Sequence, residues 1–320
     1  MKKILLILFL SSFLFSDGPY SVQSITEQDG LRDGPDFSSG IVYFPVDAPG
    51  PLPIIVLIPG YVSYISSIED WGAYLASYGI VTMFVNVNNI FLDPYYRSSA
   101  LLDGIISIKL ENERLDSPLF ENLNIDEVAV GGWSMGGGGA QLAAQQDMSI
   151  RAVVGLSPWL SNSNASYENN TPILYLSGQF DVVAPNNFHT NIFYNNTPES
   201  TDKLLYEISG GNHSTVCSPY NDNAMALKVL FWVEKYLMDN STNCDLLISP
   251  PISASEFLTN IECEDLINGD LNQDGIVNIQ DIILTVNLVL NNGFDNSVDM
   301  NLDGTLNILD VIQIINIILN

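Results

Sequence analysis

Seven short apolar runs set the tightest limit on how this chain folds: Ile41–Phe44, Ile54–Ile58, Val81–Val87, Val128–Trp133, Ala152–Leu156, Ile173–Ser177 and Leu204–Ile208. Several are apolar at consecutive positions, so both faces of the strands they predict must be covered. Between them lie longer stretches with helical patterning: Ile68–Tyr78, Ser98–Leu110, Met135–Gln146 and Ala224–Leu237. This alternation, from about Asp36 to Asp239, predicts an α/β fold with a mostly parallel sheet flanked by helices.

Other segments surround that block. Lys2 and Lys3 precede an apolar run, Ile4 to Phe15, and then Ser16-Asp17-Gly18. A short positive region, about 12 apolar residues and a small-residue site predict a secretory signal peptide over 1–17, and hence export. The run is shorter than the roughly 20 residues a spanning helix needs, so no membrane span is expected. The principal domain is expected over 18–240. Pro250-Pro251 and many small polar residues predict a linker or tacked-down C-terminal extension over 241–264.

The tail then repeats itself. Asp270-x-Asn272-x-Asp274-Gly275 returns as Asp299-x-Asn301-x-Asp303-Gly304, an offset of 29 residues, and Ile282, Ile283, Val286, Val289 and Leu290 return as Val311, Ile312, Ile315, Ile318 and Leu319. A duplicated loop–helix unit is expected over 265–320. Thirty-seven acidic against ten basic side chains leave a net charge of −27. Such a surface repels phosphate backbones and anionic lipid, which argues against nucleic-acid binding and suits a neutral substrate or bound cations. Three cysteines allow one bridge and no disulfide framework.

Gly132-Trp133-Ser134-Met135-Gly136 fits Gly-x-Ser-x-Gly, with a strand entering it and a small-residue helix, Gly137 to Ala144, leaving it. In that context the turn is tight, and it presents the Ser134 hydroxyl as a nucleophile at the end of the sheet. The Met135 amide then lies at a helix N-terminus, ready to donate to an oxyanion. A serine hydroxyl needs a base, and the chain has two histidines. His189 reads as a surface or helix-capping residue. His213 stands in a glycine-rich loop after the last predicted strand, where an α/β sheet places its chemistry. The order Ser, Asp, His also requires the base to come last. Asp181, directly after Ile173–Ser177, is the candidate acid that orients it. Asp202, before a strand, and Glu207, inside one, are the alternatives. The second oxyanion donor is expected at Tyr61, in the loop after Ile54–Ile58. No cofactor is needed for such a relay.

Pro59-Gly60-Tyr61, Gly132 to Gly139, Ser157-Pro158-Trp159, Asp181 to Pro185 and Gly211-Asn212-His213-Ser214 stand in the order and spacing of bacterial cutinases. Over roughly Asp36 to Asp239 the chain resembles these α/β-hydrolases, and especially the polyester hydrolases that degrade poly(ethylene terephthalate). The resemblance implies Ser134, Asp181 and His213 as nucleophile, acid and base, with Tyr61 and Met135 as oxyanion residues. It implies substrate contacts at Tyr61, Trp159, Val183 and Ser214. Trp159 matches the aromatic that lies against a terephthalate ring, and Ser214 the small residue beside the base. It further implies a monomeric catalytic domain acting on a polyester, and a C-terminal bridge between Cys244 and Cys263, leaving Cys217 free. A lipase or short-chain esterase, a dienelactone-hydrolase-like enzyme or peptidase, and a non-catalytic binding protein on the same scaffold are the rival readings.

Asp270, Asn272, Asp274, the Ile276 carbonyl, Asn278 and Asp281 occupy the ligand positions of a calcium loop, with Gly275 at its turn. Asp299, Asn301, Asp303, Thr305, Asn307 and Asp310 repeat the set, with Gly304 at the turn. The closing residue is Asp rather than the Glu of an EF-hand, and the paired loop–helix form resembles a type I dockerin. That resemblance implies a small all-α domain holding two Ca²⁺ ions and docking onto a cohesin-bearing scaffold or cell-surface partner.

Overall fold

The computed structural model describes residues 18–162, 170–263, 268–272, 274–291, 293–301 and 303–319. The expected signal peptide over 1–17 lies outside the described residues. Two compact units emerge, one running to Asn240 and including Leu246–Ile261, the other comprising Ser241–Asp245 and the residues from Glu262 on.

In the first unit nine strands make one mixed sheet: β1 (Val22–Thr26), β2 (Phe37–Pro45), β3 (Leu52–Ile58), β4 (Val81–Val87), β5 (Leu123–Trp133), β6 (Ala152–Leu156), β7 (Ile173–Gly178), β8 (Lys203–Ile208) and β9 (Ala254–Thr259). Their order is β1-β2-β4-β3-β5-β6-β7-β8-β9. The β1–β2, β2–β4 and β8–β9 pairings are antiparallel, and those between β4, β3, β5, β6, β7 and β8 are parallel. Every residue of β3 and β6 is buried, as apolar runs covered on both faces require.

Helices α1 (Asp70–Ser77), α2 (Pro94–Glu111), α3 (Met135–Gln146), α4 (Thr190–Asn196), α5 (Asn223–Leu237) and α6 (Cys244–Ile248) follow in sequence. Start signals explain two of them. The Asp93 side chain accepts the Tyr95 amide at 2.9 Å with Pro94 opening α2, and Asp222 accepts the Met225 amide at 2.7 Å ahead of α5. Val56, Val85, Val130 and Val153 of the sheet pack with Ile105, Ile108 and Ala143 of the helices in the main core. The fold is the expected α/β-hydrolase arrangement. Differences fall at its margins: β1, α4, α6 and β9 have no counterpart among the elements expected from the sequence, and α2 begins four residues before Ser98. The stretch read as a linker or extension supplies α6 and the edge strand β9.

The second unit contains α7 (Ile279–Leu290) and α8 (Ile308–Leu319), each entered from an acidic loop. Cys244 and Cys263 are joined, 19 positions apart in sequence, and Cys217 is free and buried. No helix among the described residues is long and apolar enough to cross a membrane.

Because the bridge closes a loop that contains β9, replacing Cys244 and Cys263 together with serine should cost about 3 kcal/mol by the loop-closure argument. A lower urea midpoint checks this, and an unchanged midpoint would refute it.

Candidate active site

Ser134, Trp159, Asp181, His213 and Tyr61 follow β5, β6, β7, β8 and β3, so all five lie off the C-terminal edge of the parallel strands. Ser134 is the pivot between β5 and α3, at φ 57° and ψ −121°. A serine holds that conformation only when its surroundings fix it. Its amide donates to Leu156 O at 2.8 Å, and its carbonyl accepts the Trp159 amide at 2.9 Å and the Gly138 amide at 3.1 Å. The β3 loop comes close enough to need glycine. A Cβ on Gly60 would stand 2.9 Å from Ser134 Cβ, and one on Gly136 only 2.3 Å from Ile58 O.

Asp181 is buried and faces two ways. Its Oδ1 accepts the Val183 amide at 2.9 Å and the Ala184 amide at 2.8 Å, and its Oδ2 lies 2.7 Å from His213 Nδ1. Burial alone would raise this carboxyl. The His213 hydrogen bond, the Ala184 amide, the His213 charge and the Val183 amide outweigh it and hold the group below its ordinary value. An ionised Asp181 assigns the Nδ1 proton to His213 and leaves Nε2 as the acceptor. The histidine loop is tied down from three sides. Trp133 Nε1 donates to His213 O at 2.9 Å, Trp71 Nε1 to Val216 O at 3.1 Å, and Ser218 Oγ to Asp70 Oδ2 at 2.7 Å.

Among the described residues the Ser134 hydroxyl makes no hydrogen bond to the imidazole. A hydroxyl turns freely about its Cα–Cβ bond, and such contacts commonly tighten only with substrate in place. The structure therefore joins Asp181 to His213 directly and brings Ser134 to the same edge. Asp202 bonds Tyr236, and Glu207 bonds Asn186 and Ser255, so both alternatives to Asp181 are engaged elsewhere.

The substrate-contact candidates line an open rim. Tyr61 is 48% exposed and meets Phe91 edge-on at 6.0 Å, while Val183 is 56% and Phe180 65% exposed. Met135 and Trp159 are half-buried and Ser214 is exposed. His189, read from the sequence as a surface or capping residue, is half-buried at the N-cap position of α4, where its side chain makes no capping hydrogen bond. Its ring lies 5.8 Å from Trp159 and 5.9 Å from Phe193. Burial pushes its pKa down, against the pull of Asp181. Cys217 takes no part: burial pushes its thiol up to about 12.

In the second unit both acidic loops repeat one hydrogen-bond set. Asp270 Oδ2 accepts the Gly275 amide at 2.7 Å, and Asp281 accepts those of Asn272 and Asn278 at 3.1 and 2.8 Å. Asp299 with Gly304, and Asp310 with Asn301 and Asn307, do the same at 2.9, 3.3 and 2.9 Å. Asp274 and Asp303 accept the amides of Ile276 and Thr305. Among the described residues no cluster of three or more His, Cys, Asp or Glu side chains is gathered as a metal site.

A family described as PETase, PET hydrolase-like, matches residues 10–263. Lipase 1 of Moraxella sp. (strain TA144) is 30% identical over 251 residues, 75% of each chain. Bis(hydroxyethyl) terephthalate hydrolase of Streptomyces coelicolor is 31% identical over 239 residues, 73% of this chain and 72% of that protein. Cutinase est1 of Thermobifida alba is 28% identical over 239 residues, 73% of this chain and 76% of that one.

Asp181→Asn keeps an acceptor for the turn amides but removes the charge that orients His213. Ester hydrolysis should fall about 10³- to 10⁴-fold in kcat. A carboxyl depressed by folding stabilises above its unfolded pKa of about 4, and that contribution is lost as pH falls through the lower folded value. The parent's advantage in Tm over the variant should therefore hold from pH 8 to 5 and shrink below about pH 4. A gap independent of pH would contradict the assignment.

Proposed function

The chain belongs to the PET hydrolase-like family and is a carboxylic ester hydrolase, and from that premise we propose that it is a secreted polyesterase working through Ser134, His213 and Asp181. His213 Nε2 takes the Ser134 Oγ proton as Oγ attacks the ester carbonyl carbon. The Tyr61 and Met135 amides receive the oxyanion. The imidazolium then protonates the departing alcohol, and water, activated by the same nitrogen, releases the acid from the acyl-enzyme. The 2.7 Å contact between Asp181 and His213 supports this reading most directly.

An aromatic polyester fits the rim. Tyr61, Phe91, Phe180 and Val183 expose apolar surface around the serine, and Trp159 offers a flat face to an aryl ester. Such a surface can meet a chain segment still attached to a solid. The same rim accepts an aliphatic acyl chain, and the resemblance to Lipase 1 favours that second reading.

For the second unit the proposed role is calcium-dependent docking, as in a dockerin, onto a cohesin-like module. Asp270, Asp281, Asp299 and Asp310 are buried, and residues 265–320 hold eight Asp with no Lys or Arg to balance them. Hard oxygen donors in this set suit Ca²⁺, which would be held by Asp270, Asn272, Asp274, Ile276 O, Asn278 and Asp281, and by Asp299, Asn301, Asp303, Thr305, Asn307 and Asp310. The ion would neutralise the loops and hold the unit together. Ile279 and Ile283 on α7 and their repeats Ile308 and Ile312 on α8 are exposed, an apolar surface suited to a partner.

Amorphous poly(ethylene terephthalate) should release terephthalate, and tributyrin butyrate, with Ser134→Ala lowering both by at least about 10³-fold. Butyrate without terephthalate would leave only the lipase reading. Chelation with EDTA should remove the helical circular dichroism of α7 and α8 while p-nitrophenyl butyrate turnover persists. Unchanged helicity would remove calcium from the account.

A further inference from the structure

Arg97 stands in the first turn of α2 and is wholly buried, yet every acceptor of its guanidinium is a main-chain carbonyl. Its Nε donates to Pro59 O at 3.1 Å and one terminal nitrogen to Gly60 O at 2.8 Å, both on the loop from β3 to α1. The same nitrogen reaches Ile90 O at 3.2 Å, and the other reaches Leu92 O and, at 3.5 Å, Asp93 O, all on the loop from β4 to α2. No carboxylate pairs with it among the described residues. Burying a cation without a counter-ion is costly, and filling space alone would not require it. Burial lowers its pKa to about 10, against Asp93 and Tyr61, so it stays charged at neutral pH.

Gly60 O and the Tyr61 N–H belong to one peptide unit, and that unit is trans. In a trans peptide the carbonyl and the amide point in opposite directions, so fixing one fixes the other. The Gly60 backbone also abuts Ser134, and the Arg97 stem packs against Gly139 of α3, the helix that Met135 opens. The loop at Tyr61 also meets the β4–α2 loop directly: the Val62 amide donates to Ile90 O at 3.0 Å, a carbonyl that Arg97 holds as well, and the Tyr61 ring meets Phe91.

We propose that Arg97 is a positioning residue for the oxyanion hole: by holding Gly60 O it aims the Tyr61 N–H at the tetrahedral adduct on Ser134, and its charge strengthens that amide as a donor. The proposal rests on the reading of Ser134 as nucleophile and Tyr61 as oxyanion donor. It implies a loss felt in kcat, because the Tyr61 N–H acts on the tetrahedral adduct and not on the ground-state ester.

Arg97→Gln and Arg97→Lys, assayed on p-nitrophenyl butyrate, test it. Competent sites are counted by stoichiometric phosphonylation of Ser134, so that misfolded protein does not enter kcat. Per-site kcat should fall roughly 10- to 100-fold in the glutamine variant and less in the lysine variant, with KM within about threefold. The inhibition constant of an alkyl boronic acid, whose serine adduct is tetrahedral, should rise in step with the loss of kcat. Per-site kcat within twofold of the parent, a change in KM alone, or a kcat loss without weaker boronate binding would each overturn the proposal. So would failure of both variants to fold by circular dichroism, which would make Arg97 a stability residue. Ser134→Ala, run alongside, separates the two layers. Activity retained there defeats the nucleophile reading, whereas an inactive Ser134→Ala beside parental Arg97 variants defeats only the role of Arg97.

Discussion

Ser134 at φ 57° is a local conformation that costs on the order of 1–3 kcal/mol and persists only because the sheet imposes it. The imposing bonds come from β6 and the turn beyond it. Leu156 O takes the serine amide, and the Trp159 amide takes the serine carbonyl. Ser134 and Trp159 are thus pinned to each other through main chain, independent of any side-chain rotamer. The in-register pairing of β5 with β6, Trp133 opposite Leu156, places these bonds. Burial of the central strands therefore sets the geometry of the chemistry as well as the stability of the fold.

That dependence explains what could be read in the sequence. Central strands such as β3 are buried throughout, so their apolar runs stand out in one dimension. Edge strands do not: β1 and β9 keep half-exposed positions, and β9 sits in polar surroundings that look like a linker. Ser134, Asp181 and His213 can be nominated from the sequence because the proposed chemistry constrains chain order and because there are only two histidines. Arg97 and His189 cannot, since their roles arise from loops and helices that meet only in three dimensions. Arg97 stands beside Ser98 and Ser99 in a helix that also carries Asp103, Lys109 and Glu111, and nothing local distinguishes it from a surface residue with a buried stem.

With 37 acidic and ten basic residues, cations are scarce, and three of them are spent inside the first unit. Arg97 holds the loop at Tyr61. Lys203 reaches Tyr194 O and Thr197 O at the end of α4, with Glu199 at 2.7 Å, and Lys228 reaches the carbonyls of Leu246, Leu247 and Ser249 around the end of α6. In each case a buried cation ties down carbonyls at a helix end or a turn. The acidic excess is thus left largely unbalanced elsewhere in the chain, while Arg97, Lys203 and Lys228 serve main-chain carbonyls from inside the first unit.

The proposed relay has a consequence for selectivity. In that mechanism the proton path and the oxyanion donors act on the ester group alone, and they do not distinguish an aryl from an alkyl acid. Discrimination then falls to side chains around the ester: Tyr61, Phe180 and Val183 expose apolar area, and Trp159 is half-buried. Apolar contacts of that kind differ between related substrates by only about 1–3 kcal/mol, or 10- to 200-fold in kcat/KM. The chain's similarity to proteins named as a lipase, a terephthalate-ester hydrolase and a cutinase is compatible with one such mechanism. Chemistry fixed by the sheet edge tolerates changes in the rim, so substrate range can shift through surface residues while the buried framework stays as it is.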